Sequence, residues 1–144
     1  MAIQVNWGNR EKDVVLVEFV GGWSWRDFED AVDRSYLLTD SVVHQVDVIF
    51  DLRNSTELPH GALMYFKRML GEWSDNRGIL VLLSADMLVF DLIGSFYRMD
   101  PGYSSRIVLA KTMNEARMQL ARMYPGAVAD EVYEDDRTLV NRML

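Results

Sequence analysis

Residues 46–61 read Val-Asp-Val-Ile-Phe-Asp-Leu-Arg-Asn-Ser-Thr-Glu-Leu-Pro-His-Gly, and the elements before and after this stretch are organised around it. The first part is mostly β-branched or aromatic, which predicts a buried strand that ends at Asp51. The polar residues after Asp51 predict a turn. Pro59 is typical of a helix start, because its missing N–H would have no partner in the first helical turn. The segment is therefore one strand–turn–helix unit.

Two strands are expected before this unit. Residues 3–7 alternate apolar and polar side chains, as in a half-buried strand. Residues 14–20 are rich in β-branched side chains, which also favour a strand. Because the link between the two segments is short, polar and contains glycine, we expect them to form an antiparallel hairpin.

Capping signals mark where two of the helices begin. Ser24 and Asp27 have the spacing of a capping box with Asp in place of Glu. Trp23 and Phe28 have the spacing of a hydrophobic staple around the same helix start. Residues 112–115, Thr-Met-Asn-Glu, have the sequence of a full capping box. One helix is therefore expected to follow Ser24, and another to follow residue 112.

The rest of the chain repeats the step from strand to helix. Residues 79–83 lack polar alternation, which predicts a central strand covered on both faces. Further elements are expected at about 59–73 (helix), 86–99 (helix), 107–110 (strand) and 112–124 (helix). The order β-β-α-β-α-β-α-β-α predicts an α/β fold with a single mixed, mostly parallel sheet covered by helices. We expect one domain at residues 1–126 and an acidic, then apolar, C-terminal tail at residues 127–144.

Composition narrows the classes of function. The chain has 144 residues, of which 49% are apolar, as expected for one folded domain. It contains no cysteine, which excludes a disulfide, a thiolate nucleophile and a sulfur-rich metal site. The net charge of −7 disfavours binding to nucleic acid or anionic lipid and favours a basic partner surface. The first residues lack the pattern of a signal peptide, and no apolar run is long enough to span a bilayer, so a cytoplasmic location is expected.

The element order, an Asp that closes the third strand and a small residue at the next helix start resemble the STAS domain, the fold of bacterial anti-sigma-factor antagonists and of sulphate-transporter tails. The chain is also similar to SpoIIAA-like proteins, whose fold has been compared with the SEC14 lipid carriers. In the antagonists, Asp-Ser-Ser/Thr-Gly begins the second helix, and one hydroxyl is phosphorylated. Asp51 matches the strand-end Asp, and Gly61 matches the motif Gly. The resemblance implies a regulatory, non-catalytic module that binds another protein.

The chain departs from the antagonist motif at the phosphorylated position. Residues 58–60 are Leu-Pro-His, and none of them carries a hydroxyl group. Ser55 and Thr56 lie upstream, in the expected turn. The resemblance therefore implies partner binding at this helix start without the phosphorylation switch. The residues expected to bind the partner are Asp51, Arg53, Asn54, Ser55, Thr56, Glu57 and His60.

The same polar residues could serve a ligand, because ligands bind at the carboxyl edge of parallel strands. Asp51, Arg53, Glu57 and His60 are expected there, with Ser84 and Asp86 after the next strand. An acid, a guanidinium and an imidazole could perform acid–base chemistry. The alternative is structural: the carboxylates accept loop N–H groups, and Arg53 pairs with one of them. No nucleophile or catalytic motif accompanies these residues, so neither an enzyme nor a cofactor is predicted.

A metal site is not predicted either. The two histidines, His44 and His60, are sixteen positions apart and lack a carboxylate at a metal-binding spacing.

The helix expected at 86–99 has two apolar stripes. Leu88, Val89 and Leu92 belong to the stripe that should face the sheet. The second stripe lies on nearly the opposite side and consists of Met87, Phe90, Gly94 and Tyr97. It could be a homodimer face or a partner site, or it could hold an apolar ligand. Alternatively, it could be covered by the apolar residues of the tail, which are Leu139, Val140, Met143 and Leu144.

Two hypotheses therefore lead. The first is a small regulatory module that binds a protein partner and performs no catalysis. The second is a carrier of an apolar small molecule or lipid, with the helix at 86–99 as its lid. Under the first hypothesis, Arg53→Glu or His60→Asp should weaken partner binding without changing the melting temperature.

Overall fold

The computed structural model describes residues 2–56, 59–61, 64–65, 68–69, 76–87, 89–91, 94, 98 and 107–123. The strands are β1 (Ile3–Trp7), β2 (Val14–Gly21), β3 (Val46–Ser55), β4 (Arg77–Leu83) and β5 (Ile107–Ala110). The helices with complete bounds are α1 (Trp25–Thr39) and α2 (Met113–Met123). Helical residues also lie between the last three strands. We refer to Met64, Tyr65, Arg68 and Met69 as the first helical segment, and to Met87, Val89, Phe90, Asp91, Gly94 and Arg98 as the second.

The five strands form one sheet in the order β1-β2-β3-β4-β5. β1 and β2 are antiparallel, with Ile3 opposite Phe19 and Trp7 opposite Val15. The pairs β2–β3, β3–β4 and β4–β5 are parallel. The predicted hairpin and the predicted mixed, mostly parallel sheet are therefore confirmed.

Helices cover both faces of the sheet. The apolar side chains of β3 and β4 alternate between the two faces, so each face needs such a cover. Val48 and Phe50 point to the face that packs against α1 and also includes Met69 and Val89 of the helical segments. Ile49 points to the opposite face, where α2 packs. The contacts of α2 there come from Met113, Ala116 and Leu120. With both faces covered, the strand ends and the outer surfaces of the helices remain for function.

The start of α1 confirms both predicted signals. The Ser24 hydroxyl accepts a hydrogen bond from the Asp27 N–H, and the Asp27 carboxylate accepts one from the Ser24 N–H. The ring centroids of Trp23 and Phe28 lie 6.0 Å apart, which is the contact expected of a hydrophobic staple. The first turn of α1 is therefore fixed by polar and apolar contacts together.

Buried polar groups lie at the amino-terminal edge of the sheet. Asp47 accepts a hydrogen bond from the Ile79 N–H (2.8 Å) at an irregularity in the β3–β4 pairing. Arg77 is buried; its guanidinium carbon lies 4.0 Å from the ring centroid of Tyr36, and its Nη2 donates to the Ser35 hydroxyl. Burial lowers the pKa of Arg77 to about 10. These contacts tie α1 to β4, so this edge has a structural role.

One strand boundary differs from the prediction. The sequence predicts that β3 ends at Asp51, but the strand continues to Ser55. The reason is its neighbour: β4 ends at Leu83, opposite Asp51, whereas β2 continues to Gly21, opposite Ser55. Residues 52–55 are therefore strand residues that pair with β2 only, and the turn begins later than the sequence predicts.

Several expectations lie outside the described residues. They include the ends of the helices expected at 59–73 and 86–99, and with them the full predicted element order. They also include the domain boundary at residue 126 and the tail at residues 127–144.

Candidate functional site

Asp51 and Arg53 form an ion pair at the carboxyl edge of the sheet. Two residues apart on one strand, they point to the same face. Arg53 donates from Nε to Asp51 Oδ1 (3.0 Å) and from Nη2 to Asp51 Oδ2 (2.8 Å), and its backbone N–H also donates to Oδ1 (3.1 Å). Glu18 lies opposite Asp51 in the pairing of β2 with β3. This geometry is the structural alternative considered from the sequence, in which Arg53 pairs with a nearby carboxylate.

The two side chains of this ion pair differ in their exposure to solvent. Asp51 is only 4% exposed, so its carboxylate lies beneath the surface. The Arg53 side chain is 26% exposed and reaches the surface. Removing the positive charge would leave a buried carboxylate without its counter-ion, which is costly. Arg53→Glu should therefore lower the melting temperature, in contrast to the unchanged value that the sequence alone predicts.

The other residues expected to bind a partner lie between the end of β3 and the first helical segment. Asn54, Thr56 and His60 are exposed, and Ser55 is half-buried. Two indole groups fasten this region to α1: Trp23 Nε1 donates to the Ser55 hydroxyl (2.8 Å), and Trp25 Nε1 donates to the His60 carbonyl (2.6 Å). Glu57 lies outside the described residues. The structure thus brings Ser55 and His60 beside the aromatic start of α1.

An aromatic stack next to His60 was not predicted. The rings of Trp25 and Tyr65 are parallel, with an interplanar angle of 6° and a centroid separation of 4.0 Å. Both side chains are half-buried, so the stack is partly open to solvent. Trp25 also meets Trp23 and Phe28 in edge-on contacts. The one hint of this stack in the sequence is Trp25 itself, because the capping pattern explains Trp23 and Ser24 and gives Trp25 no role.

A groove of about 280 Å³ lies between α1 and the first helical segment. Its apolar lining is Phe28, Val32, Tyr65 and Met69, and its charged lining is Glu29, Asp33 and Arg68. Arg68 donates to Glu29 (Nη2 to Oε2, 3.0 Å), and its guanidinium carbon lies 5.1 Å from the Tyr65 ring centroid. Because the two walls lie more than 30 positions apart in sequence, periodicity within either segment could not predict the groove.

The predicted interface on the second helical segment is only partly described. Met87 is 66% exposed, whereas Phe90 and Gly94 are half-buried. The ring centroid of Phe90 lies 6.0 Å from Lys111 Nζ. Val89 is buried, as expected for the stripe that faces the sheet. Tyr97 lies outside the described residues, so the predicted stripe as a whole stays a prediction.

Ser84 and Asp86 share the start of the second helical segment. The Ser84 hydroxyl accepts the Asp86 N–H (3.0 Å), as expected of a capping side chain. The Asp86 carbonyl accepts the N–H groups of Val89 and Phe90, so the helical hydrogen bonds begin at Asp86. Ser84 is buried, which keeps its hydroxyl away from a ligand at the surface.

The two histidines lie in different surroundings. His60 is exposed, as expected. His44 Nε2 lies 2.9 Å from the Lys12 carbonyl and 3.5 Å from Asp13 Oδ1. Burial raises the pKa of Asp13, and His44 opposes this shift. Within the described residues, no group of three histidine or acidic side chains is placed to hold a metal ion.

Comparisons with known proteins give no family for this chain. No protein-family model matches it, and no curated protein matches it. Within the part of the chain that the structure describes, no helix combines the length and apolarity needed to cross a membrane.

Proposed function

We propose that the chain is a protein-interaction module of regulatory type, with a fold resembling the STAS domain, and that it works by binding a partner at the carboxyl edge of β3. The observation that carries this proposal is the partly exposed Trp25–Tyr65 stack beside His60. Aromatic side chains held rigidly at a surface are typical anchors of protein interfaces.

The surroundings of the stack support the same function. Asn54, Thr56 and His60 are exposed between the end of β3 and the first helical segment and can exchange hydrogen bonds with a partner. The indole bonds from Trp23 and Trp25 hold this surface in one arrangement, which reduces the entropy lost on binding. The residues at 58–60 carry no hydroxyl group, so we propose binding without the phosphorylation switch of the antagonists.

A comparison of His60→Ala with His44→Ala tests this proposal. Both histidines are exposed, but only His60 adjoins the Trp25–Tyr65 stack. The wild-type chain and both variants would be immobilised and used to isolate partners from the cells that make the protein, with melting temperatures measured in parallel. We expect a partner that His44→Ala retains and His60→Ala loses, with little change in either melting temperature.

Tyr65→Ala provides a second variant at the same surface. Loss of the aromatic anchor should reduce binding more than loss of His60, because buried aromatic contacts contribute most of the energy at typical interfaces. Equal retention of the partner by wild type, His60→Ala and Tyr65→Ala would contradict the proposed surface. Retention of no protein beyond that held by an unrelated acidic control would contradict the proposed function.

The second hypothesis is a carrier of an apolar molecule with the helix at 86–99 as its lid. The groove of about 280 Å³ lies elsewhere, between α1 and the first helical segment, and is smaller than the roughly 300–1,000 Å³ of small-molecule pockets. A carrier would therefore need a different or a wider cavity to enclose a lipid. Native mass spectrometry of the freshly purified protein tests this hypothesis, since a carrier should retain a lipid-sized adduct.

A further inference from the structure

The groove beside α1 is lined by both apolar and charged side chains. Phe28 and Met69 are buried at its base, and Val32 and Tyr65 are half-buried at its sides. Glu29 and Asp33, one helical turn apart on α1, supply two carboxylates. Arg68 pairs with Glu29 across the groove. Within the described residues, Asp33 takes part in no ion pair, so its carboxylate is the charge available to an incoming group.

Size favours a side chain as the occupant over a whole small molecule. A volume of about 280 Å³ is small for a drug-sized ligand, but it suits one bulky apolar side chain. Single aromatic or aliphatic side chains that fill such pockets dominate the energy of many protein interfaces. The groove also shares Tyr65 with the Trp25–Tyr65 stack, so a partner bound at the stack would lie next to it.

Charge determines what should flank that side chain. Asp33 is exposed at the rim, and the whole chain carries a net charge of −7. A lysine or arginine beside the anchor would meet Asp33, whereas an acidic neighbour would be repelled. The Glu29–Arg68 pair has no net charge, so it favours neither a basic nor an acidic residue beside the anchor.

We propose that the groove between α1 and the first helical segment receives a bulky apolar side chain of the protein partner, with an adjacent lysine or arginine paired with Asp33. This inference rests on the proposed function and specifies the partner chemistry: a segment with an aromatic or large aliphatic anchor next to a basic residue.

Short capped peptides test the inference without knowledge of the partner. The probes are N-acetyl-Trp-Lys-amide, N-acetyl-Trp-Glu-amide and N-acetyl-Ala-Lys-amide, titrated into the full ¹⁵N-labelled chain and followed by amide chemical shifts. We expect the Trp-Lys probe to shift amides of α1 around Val32 and those of Tyr65 and Arg68. It should bind about two- to fivefold more tightly than the Trp-Glu probe, the range expected for one exposed charge pair. The Ala-Lys probe should cause no saturable shift.

Two variants separate the contributions of charge and shape. Asp33→Lys should reverse the preference between the Lys and Glu probes, while Asp91→Lys, which makes the same change at an exposed position on the second helical segment, should preserve it. Val32→Trp should fill the groove and abolish binding of both tryptophan probes. Because Val32 also packs against the core, Asp33→Lys remains the decisive variant if Val32→Trp fails to fold.

The outcomes for the groove and for the proposed function can be told apart. Equal binding of the two tryptophan probes, or shifts confined to another surface, would overturn the inference about the groove. If His60→Ala loses a cellular partner that Asp33→Lys and Val32→Trp retain, the groove is not its docking site, and the proposed function stands. If the probes behave as expected but no cellular partner is found, the groove binds the stated chemistry and the proposed function fails.

Discussion

Gly78 is the residue whose substitution the structure constrains most clearly. A Cβ added at this position would overlap the Asp47 carboxylate and the Gln45 side-chain amide. Both groups lie at the irregularity where β3 pairs with β4, and Asp47 is held there by the Ile79 N–H. The absence of a side chain at Gly78 is therefore what allows a buried carboxylate to satisfy the backbone of β4.

We expect Gly78→Ala to lower the free energy of unfolding by about 1–3 kcal/mol, the usual cost of forcing extra volume into a packed site. Urea unfolding measures the change. Gly22→Ala is the matched control, because its Cβ would only reach ordinary contact with the Thr56 hydroxyl at 3.8 Å. Similar unfolding energies for the two variants would show that the Asp47 and Gln45 side chains move aside at little cost.

Asp47 should also give stability a specific dependence on pH. Burial raises its pKa above the usual value, and the hydrogen bonds from Ile79 and Gln45 only partly oppose this effect. A raised pKa means that the folded state holds the proton more tightly than the unfolded state does. Ionisation of Asp47 therefore costs stability above its folded pKa, and the cost disappears as pH falls through that pKa.

Asp47→Asn tests this dependence, because the amide oxygen can still accept the Ile79 N–H while the charge is removed. We expect the variant to gain stability relative to wild type near pH 7 and to lose that advantage as pH falls toward about 4. Melting temperatures of both proteins across this range measure the difference. Asp33→Asn, at an exposed position, serves as the control. An advantage for Asp47→Asn that stays constant with pH would contradict the assignment.

At the scale of single elements, α1 brings the candidate site together. Its first turn carries Trp25 and Phe28, and its next turns carry Glu29, Val32 and Asp33 of the groove. The capping box at Ser24 fixes where this turn begins and therefore where the Trp25 ring lies against Tyr65. Stability at the cap and the shape of the binding surface are thus coupled.

Ser24→Ala should lower the free energy of unfolding by about 1 kcal/mol, because the Asp27 N–H loses its acceptor. Ser24→Asp supplies another carboxyl oxygen at the cap position and should restore most of the loss. The two variants are compared by urea unfolding. If Ser24→Asp is no more stable than Ser24→Ala, side-chain capping contributes little to the stability of α1.

The strands and the start of α1 could be predicted because each depends on a local pattern. The alternation of apolar and polar residues predicts β1, and the continuous apolar run predicts β4. The Ser24–Asp27 spacing predicts the start of α1. The end of β3 could not be predicted, because it depends on how far β2 extends beside it. Arg53 and Asn54 have the composition of a turn, yet β2 holds them in a strand.

Only those residues of the candidate site that lie close together in the sequence could be predicted. The sequence placed Asp51, Arg53 and His60 near one edge, but their burial depends on packing: Asp51 lies inside the sheet, and His60 is exposed. The Trp25–Tyr65 stack and the groove join residues about 40 positions apart. No periodic pattern links such distant residues, because their contact is created by the fold as a whole.

At the scale of the whole molecule, the remaining prediction is self-association through the second helical segment. Met87 is 66% exposed there and belongs to the second apolar stripe predicted from the sequence. Met118 on α2 is 61% exposed and provides a matched position on another surface. Because a single exposed methionine need not belong to an interface, the prediction is tested by comparing the same substitution at Met87 and at Met118.

We expect the molar mass of the wild-type chain, measured by size-exclusion chromatography with light scattering, to rise with concentration from 16.6 kDa toward twice that value. Met87→Asp should hold the mass at the monomer value, because burying a carboxylate in an apolar interface is costly. Met118→Asp adds the same charge and should leave the association unchanged. If both variants associate as wild type does, the second helical segment lies outside the contact. If wild type stays monomeric at every concentration, the homodimer prediction is wrong, and Met87 is then open to a different partner.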